Sequence, residues 1–389
     1  MKILFLTPRI PFPPYRGDKL KIYNLIKNLS KSNEIVLVSF VERQIEFEYK
    51  KDLLKYCKRV ELIYLPKWLS VLKSILVLIS NYPFQIKYYS SRKMKNLVND
   101  IVNEEKPDVV HTHLLRMAEY TKAIPHKKRI LDITDASSLY LDRFQKQTKN
   151  IFIKIFIKWE KNKMIKYENT ILNYDKVLVC SSVDKNYLLN RIPNANIYIT
   201  PNGIDLEVFK KSKTPKIKNS IIFTGNMSYF PNMDAVEYFV KDIFPKILSV
   251  IGDATFYIVG QNPSYKIKNL ATSNIIVTGF VKDIKSEYLK SEVAVSPIRF
   301  GAGTLNKILE PLSLGIPVVA TSIGSEGFNL VNGKEIIITD NSQEMSDSII
   351  KILKNKKYRD DLGTQAEKKV RKLYDWKKIS TDLINIYNN

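Results

Sequence analysis

VAVSPIRFGAGTLNKILEPLSLGIPVVAT, residues 293–321, carries three elements in a row: a short apolar strand, a helix that begins near Leu305 after a glycine turn, and a second apolar strand. Strand, helix and strand in that order make the crossover unit from which parallel sheets covered by helices are built. Gly301 and Gly303 leave bare backbone where the first strand has ended and the helix starts. Ligands of such sheets bind at that end of the strands.

The same alternation runs through nearly the whole chain. In the first half, strands are expected at KILFLT, EIVLVSF, VELIYL, DVVHTH, RILDI, KVLVCS and NIYIT. In the second they are expected at SIIFTG, TFYIVG, NIIVTGF, VAVSPI, PVVAT and EIIIT, with helical periodicity between them. The halves read as two doubly wound α/β units, which a length of 389 residues accommodates. Between them ITPNGIDLEVFKKSKTPKIKN, residues 199–219, combines an Asn-Gly turn, a lysine-rich polar run and Pro215, so a linker is expected near 205–216. Two facing sheets would set the carboxyl ends of their strands along a shared interdomain cleft, where the site is expected.

A hydrophobic fraction of 44% and an aromatic fraction of 11% argue for packed cores and against disorder. With 62 Lys and Arg against 39 Asp and Glu, the formal charge of +23 favours anionic partners, whether phosphorylated small molecules, acidic lipid headgroups or nucleic acid. The basic residues are spread along a chain that is also rich in Asn and Ile, so compositional bias accounts for the excess equally well. No recognisable nucleic-acid module occurs, and nucleic acid is not expected as a partner. Cys57 and Cys180 form neither a metal-like spacing nor a disulfide framework. The N-terminal MKILFLTPRIPFPPYRGDK has only a short apolar run and no small-residue cleavage site, so it reads as a first strand and the protein as cytoplasmic.

A helix N-terminus presents unpaired N–H groups and partial positive charge, so a glycine turn there lets a phosphate reach the backbone. Arg299, Asn306 and Lys307 add donors nearby, and Glu310 lies one turn beyond Asn306 on the same face, where a carboxylate can accept two ribose hydroxyls. Phosphate with ribose means a nucleotide. The same residues also fit a plain tight turn, with Lys307 and Glu310 a solvated i, i+3 pair. No G-x-x-x-x-G-K-[ST] occurs and no complete G-x-G-x-x-G follows the first strand, which weakens kinase, ATPase and ordinary dehydrogenase readings.

VSPIRFGAGTLNKILEPLSLGIPVVAT, taken with IYITPNGIDLEVF, IIFTGNMSYFPNMDAVEYF, FYIVG and IIVTGFV in this order and spacing, resembles the retaining glycosyltransferases of family 4, also called group 1. The resemblance covers most of the chain. It implies a GT-B fold: two Rossmann-like domains facing a cleft, an acceptor-binding one at 1–205, a nucleotide-sugar-binding one at 206–374, and a closing helix at 375–389 packed back on the first. It implies a nucleotide-sugar donor, a glycan or lipid-linked saccharide acceptor, no cofactor and no metal. The form of the motif is similar to a branch acting in surface polysaccharide assembly. By the family pattern Glu310 holds the donor ribose as the second acid of an E-x7-E motif, whereas Ala302 stands where the first acid belongs. The task of that acid then falls to backbone amides or another residue. Many members also carry a diphosphate-binding lysine after the turn at Gly225 and Asn226, where this chain has Phe230-Pro231-Asn232. Lys307 and Arg299 are therefore expected to neutralise the diphosphate, with Gly225, Asn226, Gly301, Gly303, Thr304, Leu305, Asn306 and Glu310 around the donor.

On the N-terminal side, TPRIPFPPYRGDKLKIYNLI, residues 7–26, runs from the first strand through a proline-rich loop into a helix. The family places this loop over the donor phosphates, which makes Arg16 and Gly17 expected site residues. His111 and His113 point the same way along their strand, but no Cys, Asp or Glu of the immediate stretch completes a metal site. The resemblance implies that His113 lies near the transferred sugar and that His111 is structural; a satisfied buried histidine is the other reading of His113. Asp132 and Asp135 can hold an acceptor hydroxyl or act as a base, with capping of the next helix favoured for Asp135.

Two stretches, LPKWLSVLKSILVLISNYPFQIKYYSSRKMK at 65–95 and IFIKIFIKWEKNKMIKYE at 151–168, mix large apolar side chains with lysines. Neither spans a bilayer comfortably, but both suit an anionic membrane surface. Core-packing helices with basic outer faces fit them as well. Two other functions remain open: a nucleotide-sugar epimerase on the same fold, and a catalytically silent nucleotide- or polyanion-binding protein, suggested by Ala302 and the charge.

Overall fold

The computed structural model describes residues 1–389 apart from 76, 78, 79, 126 and 127. Seven strands occupy the first half: β1 Lys2–Thr7, β2 Glu34–Val41, β3 Arg59–Tyr64, β4 Val109–His113, β5 Lys128–Thr134, β6 Lys176–Val179 and β7 Ile197–Ile199. They form one sheet in the order β3-β2-β1-β4-β5-β6-β7, parallel throughout. A second parallel sheet, β10-β9-β8-β11-β12-β13, is built from β8 Ser220–Thr224, β9 Thr255–Val259, β10 Ile275–Gly279, β11 Val293–Ser296, β12 Val318–Ala320 and β13 Ile337–Ile338. Every strand expected from the sequence is present.

The strands read as unbroken apolar runs because helices cover both faces of each sheet. Successive side chains serve opposite cores. In β1, Ile3 and Phe5 pack with Ile22, Leu25 and Trp376, while Leu4 and Leu6 pack with Met94, Val98 and Ile101. In β8, Ile221 and Phe223 join Val236 and Phe239 on one side, and Ile222 joins Leu309 and Leu312 on the other. Each fully buried aliphatic side chain contributes about 1.5–3 kcal/mol, so these four layers fix both sheets.

The chain divides into two units, Met1–Pro201 with Trp376–Asn389, and Asn202–Asp375. Residues 202–205, expected in the first domain, belong to the second. Asn202 Nδ2 donates to the Thr304 carbonyl at 3.1 Å, and the Ile204 amide donates to the Tyr374 carbonyl at 2.7 Å. Asp375 bridges to Ile204, and the closing helix begins after it, at Trp376. Trp376, Ile379, Leu383 and Tyr387 make one buried face of that helix within the core of the first unit.

Strand order reverses direction between β1 and β4 in one sheet and between β8 and β11 in the other. At such switch points the flanking connections lead away to opposite faces and leave a crevice at the carboxyl ends of the strands. In the second unit those ends lead into Gly225 and into the segment 297–305; in the first they lead into the loop before Gly17 and into His113.

Candidate functional site

The switch point of the second unit is built from close backbone approaches. A Cβ added to Gly225 would lie 2.6 Å from Asn232 Nδ2 and 3.1 Å from Lys307 Nζ. One added to Gly260, at the end of β9, would fall 1.7 Å from the Gly225 carbonyl oxygen. Gly303 has φ +77°, a left-handed conformation that glycine adopts without strain, and the helix Asn306–Ser313 starts directly after Leu305 with no side-chain cap. Uncapped amides at a helix start are donors for a ligand.

Lys307, on that helix, reaches back across the sheet end. Its Nζ donates to Asn232 Oδ1 at 2.6 Å and sits 4.0 Å from the centre of the Phe223 ring. Asn232 Nδ2 donates in turn to the Asn226 carbonyl at 2.9 Å, so one amide ties the Gly225-Asn226 turn to the lysine. Asn226 folds its own side chain onto its loop, Oδ1 accepting from the Ser228 amide at 3.1 Å and hydroxyl at 2.9 Å. Burial pushes the Lys307 ammonium down to about 7, against the pull of Glu310. Burial also raises Glu310, to about 6, although it accepts from Tyr288 Oη at 3.0 Å. Tyr288, 1% exposed, is itself held by Thr224 at 2.5 Å. The second unit thus presents a lysine and a glutamate that both titrate near neutrality, one helical turn apart. Thr304 Oγ1, Asn306 Oδ1 and Asn202 Oδ1 are buried without a hydrogen-bond partner among the described residues; buried polar atoms are ordinarily paired.

Arg299 has another partner than the one expected of it. Its Nε and Nη2 grip the two oxygens of Asp234 at 2.9 and 2.5 Å, and the guanidinium lies 4.6 Å from the Tyr238 ring centre. It therefore braces the helix Phe230–Tyr238 as half of an ion pair, whereas Lys307 has an amide oxygen for its hydrogen-bond partner. A Cβ added to Gly301 would make an ordinary contact with Ile298 at 3.9 Å, and Leu305 packs into both cores.

At the switch point of the first unit, charges pair with one another. Arg9 Nη1 meets Asp18 Oδ2 at 2.9 Å, Arg9 Nε meets Glu42 Oε1 at 3.0 Å, and Arg16 Nε meets Asp18 Oδ1 at 3.5 Å. Burial opposes ionisation of Asp18, but Arg16, Arg9 and Arg116 hold its carboxyl down at about 2. Gly17 opens the helix Gly17–Leu29, and no atom lies within 4 Å of a Cβ there. Space alone does not require that glycine.

Beneath this rim lies a buried group that local sequence does not reveal. Lys21, 1% exposed, donates to Asp132 Oδ1 at 3.0 Å and to the Thr200 carbonyl at 3.3 Å. Asp132 Oδ2 faces His111 Nε2 at 3.7 Å and His113 Nδ1 at 3.6 Å. Burial works against the charge on Asp132, yet Lys21 and the two imidazoles hold its carboxyl well below the usual range. His111 Nδ1 hydrogen-bonds Tyr387 Oη of the closing helix at 2.6 Å, whereas neither ring nitrogen of His113, 2% exposed, has a hydrogen-bond partner among the described residues. Asp135 is not a helix cap. The N-cap of Ser137–Gln147 is Ala136, whose amide is taken by Asp184 Oδ1 at 2.9 Å, and burial with the charge of Asp184 raises Asp135 to about 7.

Comparison with known proteins follows this division of the chain. A family model described as Glycosyltransferase Family 4 matches residues 22–208, and one described as Glycosyl transferases group 1 matches residues 218–355. An uncharacterized 44.6 kDa protein in the cps region of Klebsiella pneumoniae is 21% identical over 403 residues, covering 98% of each chain. Sucrose-phosphate synthase from Thermosynechococcus elongatus superposes over 100% of this chain and 98% of its own with a TM-score of 0.74 at 14% identity. Anabaena HepE, solved in complex with UDP and glucose, does so over 100% of both chains with a TM-score of 0.70 at 12% identity. The two Rossmann-like sheets are those of the GT-B fold.

Proposed function

We propose that this chain, a glycosyltransferase in both of its domains, moves a hexosyl group from a nucleoside diphosphate sugar to a saccharide or lipid-linked saccharide acceptor, with retention at the anomeric carbon. The observation that carries this reading is the place of Lys307 Nζ, on the helix after the glycine turn and against the bare backbone of Gly225. A diphosphate at the ends of β8 and β11 meets helix-start amides and one cation there, with Glu310 a turn further on for the ribose. Thr304 Oγ1 is a further donor for the diphosphate, and Asn306 Oδ1 a further acceptor for a hydroxyl of the ribose or sugar. Many members of the family that this chain resembles follow the turn with a diphosphate-contacting lysine; here we propose that Lys307, hydrogen-bonded to Asn232, supplies the cation from the neighbouring helix.

In the reaction the bond between the anomeric carbon and the diphosphate oxygen breaks, and the acceptor oxygen bonds to the same face of that carbon. The acceptor proton passes to the departing phosphate. Preorganised donors stabilise the charge that develops on the leaving group, so activity is expected to survive a chelator. His113, Arg16 and Gly17 are proposed to serve the sugar and phosphates from the first unit, and Arg299 to brace the helix that carries Asn232. The relative in a cps region supports a role in surface polysaccharide assembly, and we propose that it is exercised in the cytoplasm. The UDP complex of HepE makes UDP the first nucleotide to try.

Calorimetry with UDP, GDP, ADP and CMP on the wild type, Lys307→Ala and Glu310→Ala tests the site. One nucleotide should bind selectively and both substitutions should weaken it; uniformly weak binding indifferent to both would refute the assignment. A product anomer inverted relative to the donor would refute retention.

A further inference from the structure

An amphipathic helix on a globular protein turns its apolar stripe inward. The helix Lys67–Ile75 does the reverse. Ser70 and Ser74 are its buried residues, 1% and 2% exposed, and Ser74 Oγ satisfies itself on the Ser70 carbonyl at 2.7 Å. Trp68, Val71, Leu72 and Ile75, the stripe at i, i+3, i+4 and i+7, are 68%, 50%, 53% and 56% exposed. The helix Ile151–Glu168 departs from the rule in another way. Its first six residues, IFIKIF, are exposed all round the axis, Phe152 by 79%, and burial begins only at Ile157. These turns are well-formed helix, because Asn150 Oδ1 caps the Phe152 and Ile153 amides at 3.0 and 3.2 Å. Core packing, the other reading of these two stretches, is thereby excluded for both sets of turns. Leu76, Leu78 and Ile79 of the first stretch lie outside the described residues.

The two elements are fastened to one neighbourhood. Lys163 Nζ donates to the carbonyls of Val77 and Ser80 at 2.6 and 2.5 Å, and Glu160 Oε1 accepts from the Phe84 amide at 2.7 Å. Their charge has one sign. Residues 65–95 contain no Asp or Glu, nor do residues 143–159, while the exposed Lys67, Lys154 and Lys158 lie among the apolar side chains. Among the described residues no helix is long and apolar enough to cross a membrane. A second copy of the same surface would set lysine against lysine. A bilayer bearing anionic lipid matches both features, taking Trp and Phe side chains into its interface while the lysines reach the headgroups.

We propose that the apolar face of Lys67–Ile75 and the first turns of Ile151–Glu168 dock the first unit on the surface of an anionic phospholipid bilayer. The inference stands on these helices alone and is independent of the sugar-transfer reading. Cosedimentation with vesicles of phosphatidylglycerol and phosphatidylcholine in equal parts, or of phosphatidylcholine alone, tests it at physiological salt. The mixed vesicles should bind the wild type at least about tenfold more tightly than the neutral ones. Trp68→Ser with Leu72→Ser, and separately Phe152→Ser with Phe156→Ser, should each weaken that binding about tenfold or more, with the circular dichroism spectrum unchanged. Three results would overturn the proposal: no vesicle binding, apolar pairs that bind as the wild type does and so assign the affinity to net charge, or a wild-type dimer that the same pairs convert to monomer.

Discussion

Lys21 and Lys307 are both withdrawn from solvent at the switch point of a parallel sheet, and they are held in opposite ways. Lys21 in the first unit is matched by the carboxylate of Asp132 at 3.0 Å, with the Thr200 carbonyl as a second acceptor. Lys307 in the second unit has an amide oxygen and an aromatic face for company, and burial brings its ammonium down to about 7. A buried cation with a matched anion is part of the scaffold. One whose direct contacts are neutral, with Glu310 a helical turn away as the carboxylate that pulls on it, takes up the negative charge that a diphosphate supplies.

That contrast can be broken by substitution. The largest effect is expected at the second lysine: Lys307→Ala should lower kcat/KM by about 100- to 1000-fold, as loss of a charge-stabilising donor does, and leave the unfolding of the first unit unmoved. Trp68, Trp159 and Trp376 all belong to the first unit, so tryptophan fluorescence in urea reports it alone. The same measurement should show Asp132→Ala destabilised by about 3–5 kcal/mol, because Lys21 then remains buried and unpaired. Were both substitutions to act alike, on stability or on turnover, the distinction between the lysines would fail.

Smaller effects sharpen the comparison. Arg299→Ala should cost less than about tenfold in nucleotide affinity, since its guanidinium is already committed to Asp234, and a loss as large as that of Lys307→Ala would make Arg299 the principal cation instead. Gly17→Ala should change the unfolding free energy measured in urea little or raise it, by up to about 1 kcal/mol, since no atom within 4 Å obstructs a Cβ. Gly225→Ala, whose Cβ would push on the side-chain ends of Asn232 and Lys307, should weaken nucleotide binding by less than Lys307→Ala does.

The strands were legible in the sequence because burial on both faces writes itself into each as a local apolar run, KILFLT and SIIFTG alike. So was the glycine turn before Asn306. The partners of the charged residues were not, because they are set by topology over long separations. Asn232 meets Lys307 across 75 residues, Arg299 meets Asp234 across 65, and Lys21 meets Asp132 across 111. Asn232 did leave a trace, standing in the region where the family resemblance leads one to expect a lysine. Asp135 misled because Asp-x-Ser-Ser is a helix-start pattern, while the Ser138 amide that such a cap would have held goes to Glu168, 30 residues further on.

The proton balance of nucleotide binding tests the place of Lys307 most directly. Its ammonium loses its proton above about 7 in the free protein, and a bound diphosphate favours the charged form, so affinity must fall as pH rises through that value. Calorimetry of UDP binding at about pH 8, in buffers of different ionisation enthalpy, should record uptake of close to one proton per nucleotide. The uptake should vanish in Lys307→Met. No uptake by the wild type, or the same uptake in the variant, would contradict the account, because the cation that meets the diphosphate would then be some other group.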